Sequence, residues 1–393
     1  MGRAFFAAEL QAAATRRTGL SDFGDLRFRA DLDALLDALN HDAQLHAAGR
    51  MALRRIMTDH LVNRLLLTSV RQQAPGIFTR PLANPLIVTG LPRSGTTLLH
   101  RMLAADPAHY GPPYWELAQP VAPSVLPPGW PDHRRWYAAA TLGLRGLLAR
   151  DLDRKHFVAV DTPEEDLHTL GATFQSWYYW MAAPVYGYLD WYLSQDYRRK
   201  YREYRAWLQV LQAAHPGRRL VLKSPEHTGG LAALLDAVPE AHVVQLHRDP
   251  HTSFASFVSL TRTTQHMFAG PIDHARSARA SLSLLSSELR RNLAARDRHP
   301  AAVLDLRYDD LVAAPAATAQ RIYQRFNLDW TAASARGLQR YVHQNPPGRH
   351  GAHHYPLDAG LPPAEVAAAF HPYQQSWPLG PTIFSHPSYW YRA

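Results

Sequence analysis

One stretch near residue 90 constrains the fold more than any other part of the chain. Residues 85–100 read Pro-Leu-Ile-Val-Thr-Gly-Leu-Pro-Arg-Ser-Gly-Thr-Thr-Leu-Leu-His. The first part is a short apolar run without polar alternation, which is typical of a parallel strand buried on both faces. From Thr96 onward the apolar residues recur at helical spacing, until the Asp-Pro pair at 106–107 ends the pattern. The sequence therefore predicts a strand, a loop bounded by Gly90 and Gly95, and a helix.

The loop has the spacing of a phosphate-binding P-loop with one change. Gly90 and Gly95 are followed by Thr96 and Thr97, so that threonine stands where a nucleotide triphosphatase carries lysine. A glycine-rich turn that leads into a helix still presents backbone N–H groups and the positive end of the helix dipole to an oxyanion. Arg93 adds a fixed positive charge. We predict that the loop binds a 5′-phospho group with an anionic leaving unit. The alternative is a plain connection between strand and helix.

Composition limits the class of protein. The chain has 393 residues, 46% of them hydrophobic, which predicts one α/β domain with helical additions. Cysteine is absent, which excludes disulfides, thiol catalysis and thiolate metal sites. This absence, and a start without a long apolar core, lead us to expect a cytoplasmic protein without a signal peptide. The formal charge of +9 suits an anionic ligand or surface, but no basic stripe with a reading motif predicts nucleic-acid binding.

Two regions outside the predicted phosphate loop have a distinct composition. Residues 1–83 are mostly helical by their apolar spacing and are expected to pack on the core. Residues 169–189 are uncharged and aromatic, and their number approaches that of a membrane span. Polar residues and proline within them favour a buried or cleft-lining segment, with interfacial membrane contact as the alternative. This segment lies within an aromatic insertion, predicted at about 120–215, that we place on the substrate side.

Three further short apolar runs read as buried strands followed by turns and helical patterns: residues 219–223, 242–247 and 303–307. Lys223 ends the first of them, and the carboxyl ends of strands face the ligand crevice in open α/β sheets. His227 follows in the next turn and is a candidate base or a helix cap. Arg248 leaves the second run, and Ser256 lies two turns along the helix that follows it. A guanidinium and a hydroxyl in this arrangement can hold a second phosphate.

Carboxylates at two positions are candidates for proton transfer or substrate contact. Glu116 lies between Trp115 and Leu117 in a loop rich in glycine and proline, where it is either a desolvated base or a surface side chain in a turn. Thr162 and Glu165 have the spacing of an N-terminal capping box, which we favour over an acidic substrate rim.

Near the end of the chain, Arg349, His350 and Gly351 predict a mobile anion-binding loop. The histidines around this loop lack regular ligand spacing, so we predict no metal site.

Taken together, these residues resemble the sulfotransferases that use 3′-phosphoadenosine 5′-phosphosulfate (PAPS), in particular a bacterial branch. The resemblance covers roughly residues 84–375 and leaves 376–393 as a tail. It is carried by Pro92-Arg93-Ser94-Gly95-Thr96-Thr97, Lys223-Ser224-Pro225, Arg248-Asp249-Pro250 with Ser256, and more loosely by Gly348-Arg349-His350-Gly351. The resemblance implies a P-loop-like parallel sheet flanked by helices. It also implies transfer of a sulfuryl group from PAPS to a hydroxyl or amine, with no metal required.

The resemblance also implies roles for individual residues. The donor-binding residues would be Arg93, Ser94, Gly95, Thr96, Thr97, Arg248, Ser256, Arg349, His350 and Gly351. Arg93 would stabilise the bridging oxygen and Lys223 would assist. Glu116 or His227 would be the base, and we favour Glu116 because Lys223-Ser224-Pro225 matches the branches that use glutamate.

Other functions compete with this one. A P-loop kinase or NTPase and a non-catalytic nucleotide-binding protein at a membrane surface are the alternatives. For a sulfotransferase, the aromatic insertion suggests a bulky or amphipathic acceptor, such as a lipid, a glycan or another natural product. The oligomeric state is not predicted.

Overall fold

A parallel sheet organises the described part of the chain. The computed structural model describes residues 4–122, 132–148, 158–345 and 360–379. Within these ranges the central element is a five-stranded parallel sheet in the order β2-β3-β1-β4-β5. Its strands are β1 (Leu86–Gly90), β2 (His109–Tyr110), β3 (Arg219–Lys223), β4 (His242–His247) and β5 (Val303–Arg307). The predicted α/β fold with a parallel sheet is therefore confirmed, and β2 is an additional short strand at one edge.

Helices precede, connect and follow the strands. They are α1 (Ala7–Thr18), α2 (Phe28–His41), α3 (Ala47–Gln73), α4 (Thr96–Ala104), α5 (Tyr114–Ala118), α6 (Arg134–Leu148), α7 (Leu167–Gly171), α8 (Tyr178–Ala182), α9 (Tyr186–Ser194), α10 (Arg198–Ala214), α11 (Leu231–Ala237), α12 (Pro250–His266), α13 (His274–Ala295), α14 (Tyr308–Ala313), α15 (Pro315–Arg325), α16 (Ala332–Gln344) and α17 (Pro363–Ser376). Three short 3₁₀ turns lie at Pro75–Ile77, Pro225–His227 and Arg296–Arg298.

The two faces of the sheet are buried in separate apolar clusters. Alternate residues of β1 point to opposite faces, so Leu86 and Val88 join one cluster and Ile87 joins the other. The first cluster contains α4 and α15, and the second contains α12, α13 and the N-terminal helices. Both faces being covered explains why β1 reads as a continuous apolar run in the sequence.

The order of the strands places the end of β1 at the centre of the sheet. β1 pairs with β3 on one side, where Ile87 lies opposite Leu222, and with β4 on the other, where it lies opposite Val243. The chain passes from β1 to β2 and β3 on one side and then crosses to β4 and β5 on the other. Such a reversal opens a crevice at the carboxyl end of the central strand.

The aromatic segment 169–189 belongs to the core. Trp177, Trp180 and Tyr188 are each no more than 2% exposed, and the segment is broken into the short helices α7, α8 and the start of α9. This burial agrees with the prediction of a buried segment. It leaves these side chains unable to contact a membrane surface. In the described part of the chain, no helix has both the length and the apolar character needed to cross a membrane.

A carboxyl group on α13 is buried among aromatic side chains. Glu288 is 1% exposed, and its Oε1 accepts a 2.8 Å hydrogen bond from the Tyr197 hydroxyl. Its Oε2 has no hydrogen-bond partner among the described residues. Burial raises the pKa of Glu288 from 4.5 to about 7, although the nearby Lys200 opposes the shift. A carboxyl whose pKa is higher in the folded than in the unfolded state makes folding less favourable as it ionises, so this contribution to stability falls as pH rises from 4.5 to about 7.

Glu288→Gln tests this dependence, because glutamine keeps an acceptor for Tyr197 and does not ionise. We expect the free energy of unfolding of the variant, relative to the unmodified protein, to rise by about 2.5 kcal/mol between about pH 5 and about pH 8. Urea unfolding at both pH values measures this difference. Glu365→Gln, at a partly exposed carboxyl, is the control and should show no such rise. A difference for Glu288→Gln that does not vary with pH would contradict the prediction.

Candidate active site

Glycines shape the loop between β1 and α4. Gly90 and Gly95 have φ angles of 141° and 88°, and Arg93 between them has a φ of 69°. A Cβ atom on Gly90 would lie 2.4 Å from the main-chain oxygen of Leu246, and one on Gly95 would lie 2.8 Å from Cδ2 of Tyr308. No side chain caps the first turn of α4, which starts directly after Gly95. The loop therefore leaves the N–H groups of this turn available to an oxyanion, as its sequence predicts.

Two cations flank the loop from the neighbouring strands. Lys223, the last residue of β3, is 1% exposed, and its Nζ donates to Thr97 Oγ1 over 3.3 Å. Arg248 directly follows β4, and its Nη1 donates to the main-chain oxygen of Arg93 over 2.6 Å. Burial lowers the pKa of Arg248, but a guanidinium stays protonated in proteins. The structure thus brings together the loop and both strand-end cations that the sequence singled out.

Buried hydroxyl groups near these cations lack partners. The Oγ atoms of Ser94, Ser253 and Ser256 are buried without a hydrogen-bond partner among the described residues. Leaving a buried hydroxyl unpaired costs roughly 1–3 kcal/mol, so three of them favour a polar ligand. Ser256 was a candidate from the sequence. Ser253 was missed, although its position one helical turn before Ser256 on α12 is a usable signal.

Tyr308 is a second residue that sequence reasoning missed. Its ring lies against Gly95, and the guanidinium carbon of Arg248 is 4.1 Å from its centroid. The ring therefore supports both the phosphate loop and the arginine from β4. The available signal was its position directly after β5. Lys223 and Arg248 also lie at the carboxyl ends of their strands.

Glu165 lies in the crevice as the ion-pair partner of Lys223. Lys223 Nζ donates to Glu165 Oε1, and the glutamate side chain is 18% exposed. The capping box expected from Thr162 and Glu165 is wrong: α7 begins only at Leu167, after Asp166, and Thr162 donates to the main-chain oxygen of Ala159. The acidic segment therefore contributes a carboxylate to the site, which was the less favoured reading of the sequence.

Glu116 is held by other partners. Its Oε2 accepts a 2.6 Å hydrogen bond from the Tyr110 hydroxyl, and its Oε1 lies 2.7 Å from His215 Nε2. Tyr110 pairs with Leu220 near the start of β3, and His215 precedes that strand. Strand β3 has five residues and spans about 13 Å. The partners of Glu116 lie at its amino end, and Lys223 is its last residue. The carboxylate of Glu116 is 1% exposed and bonds to groups at the amino end of β3.

His227 is enclosed by protein partners. Its Nε2 lies 3.1 Å from Asp166 Oδ2, and its Nδ1 lies 3.0 Å from the Tyr201 hydroxyl. Burial raises the pKa of Asp166, but the contacts with His227 and the Tyr204 hydroxyl outweigh it and leave the pKa below its usual value. Both ring nitrogens of His227 are therefore occupied within the protein.

The remaining predicted residues lie outside the described part of the chain. Arg349, His350 and Gly351 fall in the range 346–359, for which the structure gives no description. Among the residues that are described, no group of three or more His, Asp or Glu side chains is arranged to hold a metal ion.

A family model described as "Sulfotransferase family" matches residues 85–332, more than half of the chain. The chain belongs to the sulfotransferase family. The match includes β1, the phosphate loop and the segments carrying Glu165, Lys223 and Arg248, and it confirms the resemblance found in the sequence.

Individual sulfotransferases support the assignment. An omega-hydroxy-beta-dihydromenaquinone-9 sulfotransferase, found in Mycobacterium bovis and Mycobacterium tuberculosis, is 27% identical over 264 residues. The alignment covers 62% of this chain and 63% of that protein, so the chain spans less than two thirds of these curated relatives.

Crystal structures of mycobacterial sulfotransferases have the same fold. One from Mycobacterium tuberculosis superposes with a TM-score of 0.76 and 31% identity, covering 93% of this chain and 98% of the other. One from Mycobacterium avium gives 0.84 and 25%, covering 97% and 99%.

The loop glycines of this sulfotransferase-family chain allow a test of the site's geometry. Gly95→Ala should lower the free energy of unfolding by about 2–4 kcal/mol, because the left-handed conformation and the contact with Tyr308 both penalise a Cβ atom. Gly19→Ala is the matched control, since Gly19 has a φ of 70° with nothing within 4 Å, and it should lose only about 1–2 kcal/mol.

Thermal or urea unfolding measures both losses. In a Tyr308→Ala background the additional loss at Gly95 should disappear. Equal losses at Gly95 and Gly19 would contradict the steric role of Tyr308.

Proposed function

We propose that the protein is a sulfotransferase that takes a sulfuryl group from PAPS and transfers it to a hydroxyl of a lipid-like acceptor. The observation that carries the proposal is the crevice at the carboxyl end of β1. There a P-loop-like turn without the NTPase lysine lies between Lys223 and Arg248, and a carboxylate is bonded to Lys223. Two cations and a base around one anion-binding loop suit sulfuryl transfer better than Mg-ATP chemistry.

The residues of the crevice fit a donor with phosphates at both its 5′ and 3′ ends. The 5′-phosphosulfate would bind at the loop and the first turn of α4, through Arg93, Ser94, Gly95, Thr96 and Thr97. The 3′-phosphate would bind Arg248, Ser253 and Ser256. The hydroxyls of both serines are buried without a hydrogen-bond partner among the described residues. We assign Arg349, His350 and Gly351 to the same phosphate on the resemblance alone.

Transfer forms a bond between the acceptor oxygen and sulfur and breaks the bond from sulfur to the bridging oxygen of the donor. The leaving nucleotide, 3′-phosphoadenosine 5′-phosphate (PAP), keeps the electron pair, and the acceptor hydroxyl loses its proton to a base. Lys223 and Arg93 stabilise the negative charge that develops on the bridging oxygen. Lys223 also contacts the base. One side chain therefore positions both the bridging oxygen of the donor and the group that receives the acceptor's proton.

We propose Glu165 as this base, with Glu116 as the competing candidate. Glu165 contacts Lys223 directly and is partly exposed, so an acceptor hydroxyl can reach it. Glu116 instead accepts hydrogen bonds within a buried cluster at the amino end of β3. His227 is less suited, because Asp166 and Tyr201 occupy its two nitrogens.

Glutamine substitutions distinguish the two glutamates. Glu165→Gln should lower kcat on the order of 10²–10⁴-fold, because the acceptor proton loses its destination, while PAP affinity stays within a few-fold. Glu116→Gln should change kcat far less and should mainly lower thermal stability. Transfer from radiolabelled PAPS measures kcat, and calorimetry measures PAP binding. Full activity of Glu165→Gln with a large loss in Glu116→Gln would move the role of base to Glu116.

The donor-binding assignment is tested by substitution of Arg248 and Ser256. Arg248→Ala should weaken PAP binding by roughly 1.5–3 kcal/mol, the value of a charged hydrogen bond, and Ser256→Ala by roughly 0.5–1.5 kcal/mol. Without ligand, Ser256→Ala should be nearly neutral, because its hydroxyl bonds to no described residue.

Arg279→Ala, which removes an exposed ion pair with Glu365, is the control for a lost surface charge. Calorimetric titration with PAP, and with Mg-ATP for comparison, gives the affinities. An unchanged PAP affinity in Arg248→Ala would remove that residue from the site, and tighter binding of Mg-ATP than of PAP would favour a kinase or NTPase.

The acceptor class follows from the relatives and from aromatic side chains on α5, α7 and α8. The mycobacterial relative is named for a hydroxylated menaquinone, which is a lipid. In this chain, His168 on α7 makes edge contacts with Tyr114 and Tyr178 at 4.9 and 5.6 Å between ring centroids, and all three rings are partly exposed. His168 follows Glu165 by three residues in the sequence, and partly exposed rings in this segment suit an apolar acceptor with a terminal alcohol. We place this activity in the cytoplasm, where such a donor and a reducing environment fit a chain without cysteine.

A further inference from the structure

The most exposed large apolar side chains of the described residues belong to neighbouring helices. Trp136 is 73% exposed, Met51 is 71% and Phe6 is 53%. They lie on α6, on α3 and just before α1, respectively. The other exposed large apolar side chains, Leu26 and Trp330, are 48% and 36% exposed and lie on other segments.

Direct contacts join the three helices. Arg55 on α3 donates to the Tyr137 hydroxyl on α6 over 2.8 Å, and its guanidinium lies 4.4 Å from that ring. Met51 precedes Arg55 by one helical turn and therefore lies on the same side of α3. Trp136 directly precedes Tyr137 and points about 100° away from it around α6. We call the surface formed by Phe6, Met51, Trp136 and the arginines between them the α1–α3–α6 face.

Phe6 is connected to the same surface through its neighbour. The Phe5 ring is buried under two arginines of α3, with Arg50 at 5.0 Å and Arg54 at 5.4 Å. Phe6 follows Phe5 and is exposed beside them. The α1–α3–α6 face therefore has apolar side chains set among guanidinium groups.

The charge of this face is positive. Arginines outnumber carboxylates on residues 4–19, 47–59 and 132–143, which carry Arg16, Arg17, Arg50, Arg54, Arg55, Arg134 and Arg135 against Glu9, Asp59 and Asp132. The carboxylates are engaged in ion pairs, Glu9 with Arg54, Asp59 with Arg17 and Asp132 with Arg134. Asp161, from outside these ranges, pairs with Arg135, so the seven arginines exceed the four paired carboxylates by three. Arg55 bonds instead to a tyrosine hydroxyl and keeps its charge at the surface.

We propose that the α1–α3–α6 face docks on the surface of an anionic lipid bilayer. Tryptophan, phenylalanine and methionine then enter the headgroup boundary, and the arginines pair with lipid phosphates, as in interfacial protein anchors. The face adjoins the acceptor side, because α6 packs against α5 and the Arg134 guanidinium lies 4.7 Å from the Trp115 ring. The benefit of docking rests on the proposed function, since a lipid alcohol is met at a membrane, but the binding itself does not.

Vesicle flotation tests the proposal on the full chain. The unmodified protein should float with vesicles that contain phosphatidylglycerol and much less with pure phosphatidylcholine, and added salt should weaken the binding. The double variant Met51→Ser, Trp136→Ser should bind anionic vesicles about tenfold more weakly. The matched control is Leu26→Ser, Trp330→Ser, which removes exposed apolar side chains elsewhere and should bind like the unmodified protein.

Several results would overturn the proposal. They are absence of flotation with anionic vesicles, equal binding by both double variants, and equal binding to both lipids. Light scattering after size-exclusion chromatography adds a further outcome: a dimer lost only in Met51→Ser, Trp136→Ser, without vesicle binding, would assign the face to a second copy of the chain. PAP affinity measured on the same samples reports the proposed function separately, because flotation needs neither donor nor transfer.

Discussion

The hydrogen bond from Arg248 to the main-chain oxygen of Arg93 joins the two halves of the crevice. It links the segment before α12 to the loop after β1, so the two segments proposed to bind anions have a fixed relation. Arg93 has a left-handed backbone conformation, which exposes its carbonyl oxygen to the guanidinium. Tyr308 packs against Gly95 and Arg248 from the end of β5. Strands β1, β4 and β5 therefore converge through side chains as well as through the sheet.

The other side of the crevice depends on Lys223 in a similar way. Its ammonium group contacts a threonine of α4 and a carboxylate from the segment before α7. A buried cation needs such partners, because an unpaired charge in this position is strongly disfavoured. The lysine therefore determines where Glu165 lies, and the main-chain bond from Asp166 N–H to the Lys223 carbonyl fixes the segment beside it.

Local sequence patterns were enough for strands β1, β3, β4 and β5, for the glycine-bounded loop and for the positions of the cations at strand ends. Each of these follows from a run of residues whose spacing carries the information, such as 85–100. The parallel orientation of the strands also followed, because buried strands joined by helices favour it.

Contacts between distant residues explain what local reasoning missed. Glu165 matched a capping box by spacing, but its partner is Lys223, which only the folded sheet brings next to it. Glu116 stays a predicted base, and its partners Tyr110 and His215 could not be read from its neighbours in the sequence. Neither pairing is encoded within one helix or strand. The two-residue strand β2 was missed because it is too short to show a periodic pattern.

The chain between β2 and β3 forms one long connection outside the sheet. Residues 111–218 leave the sheet at one edge and return to it at the adjacent strand, and they carry α5 to α10 together with Glu165 and the rings around His168. Changes in that connection can alter the proposed acceptor side while β1, β4 and the loops that follow them stay as they are. A lineage of such proteins can therefore diversify its acceptors by changing one long connection, while the segments proposed to bind the donor are kept.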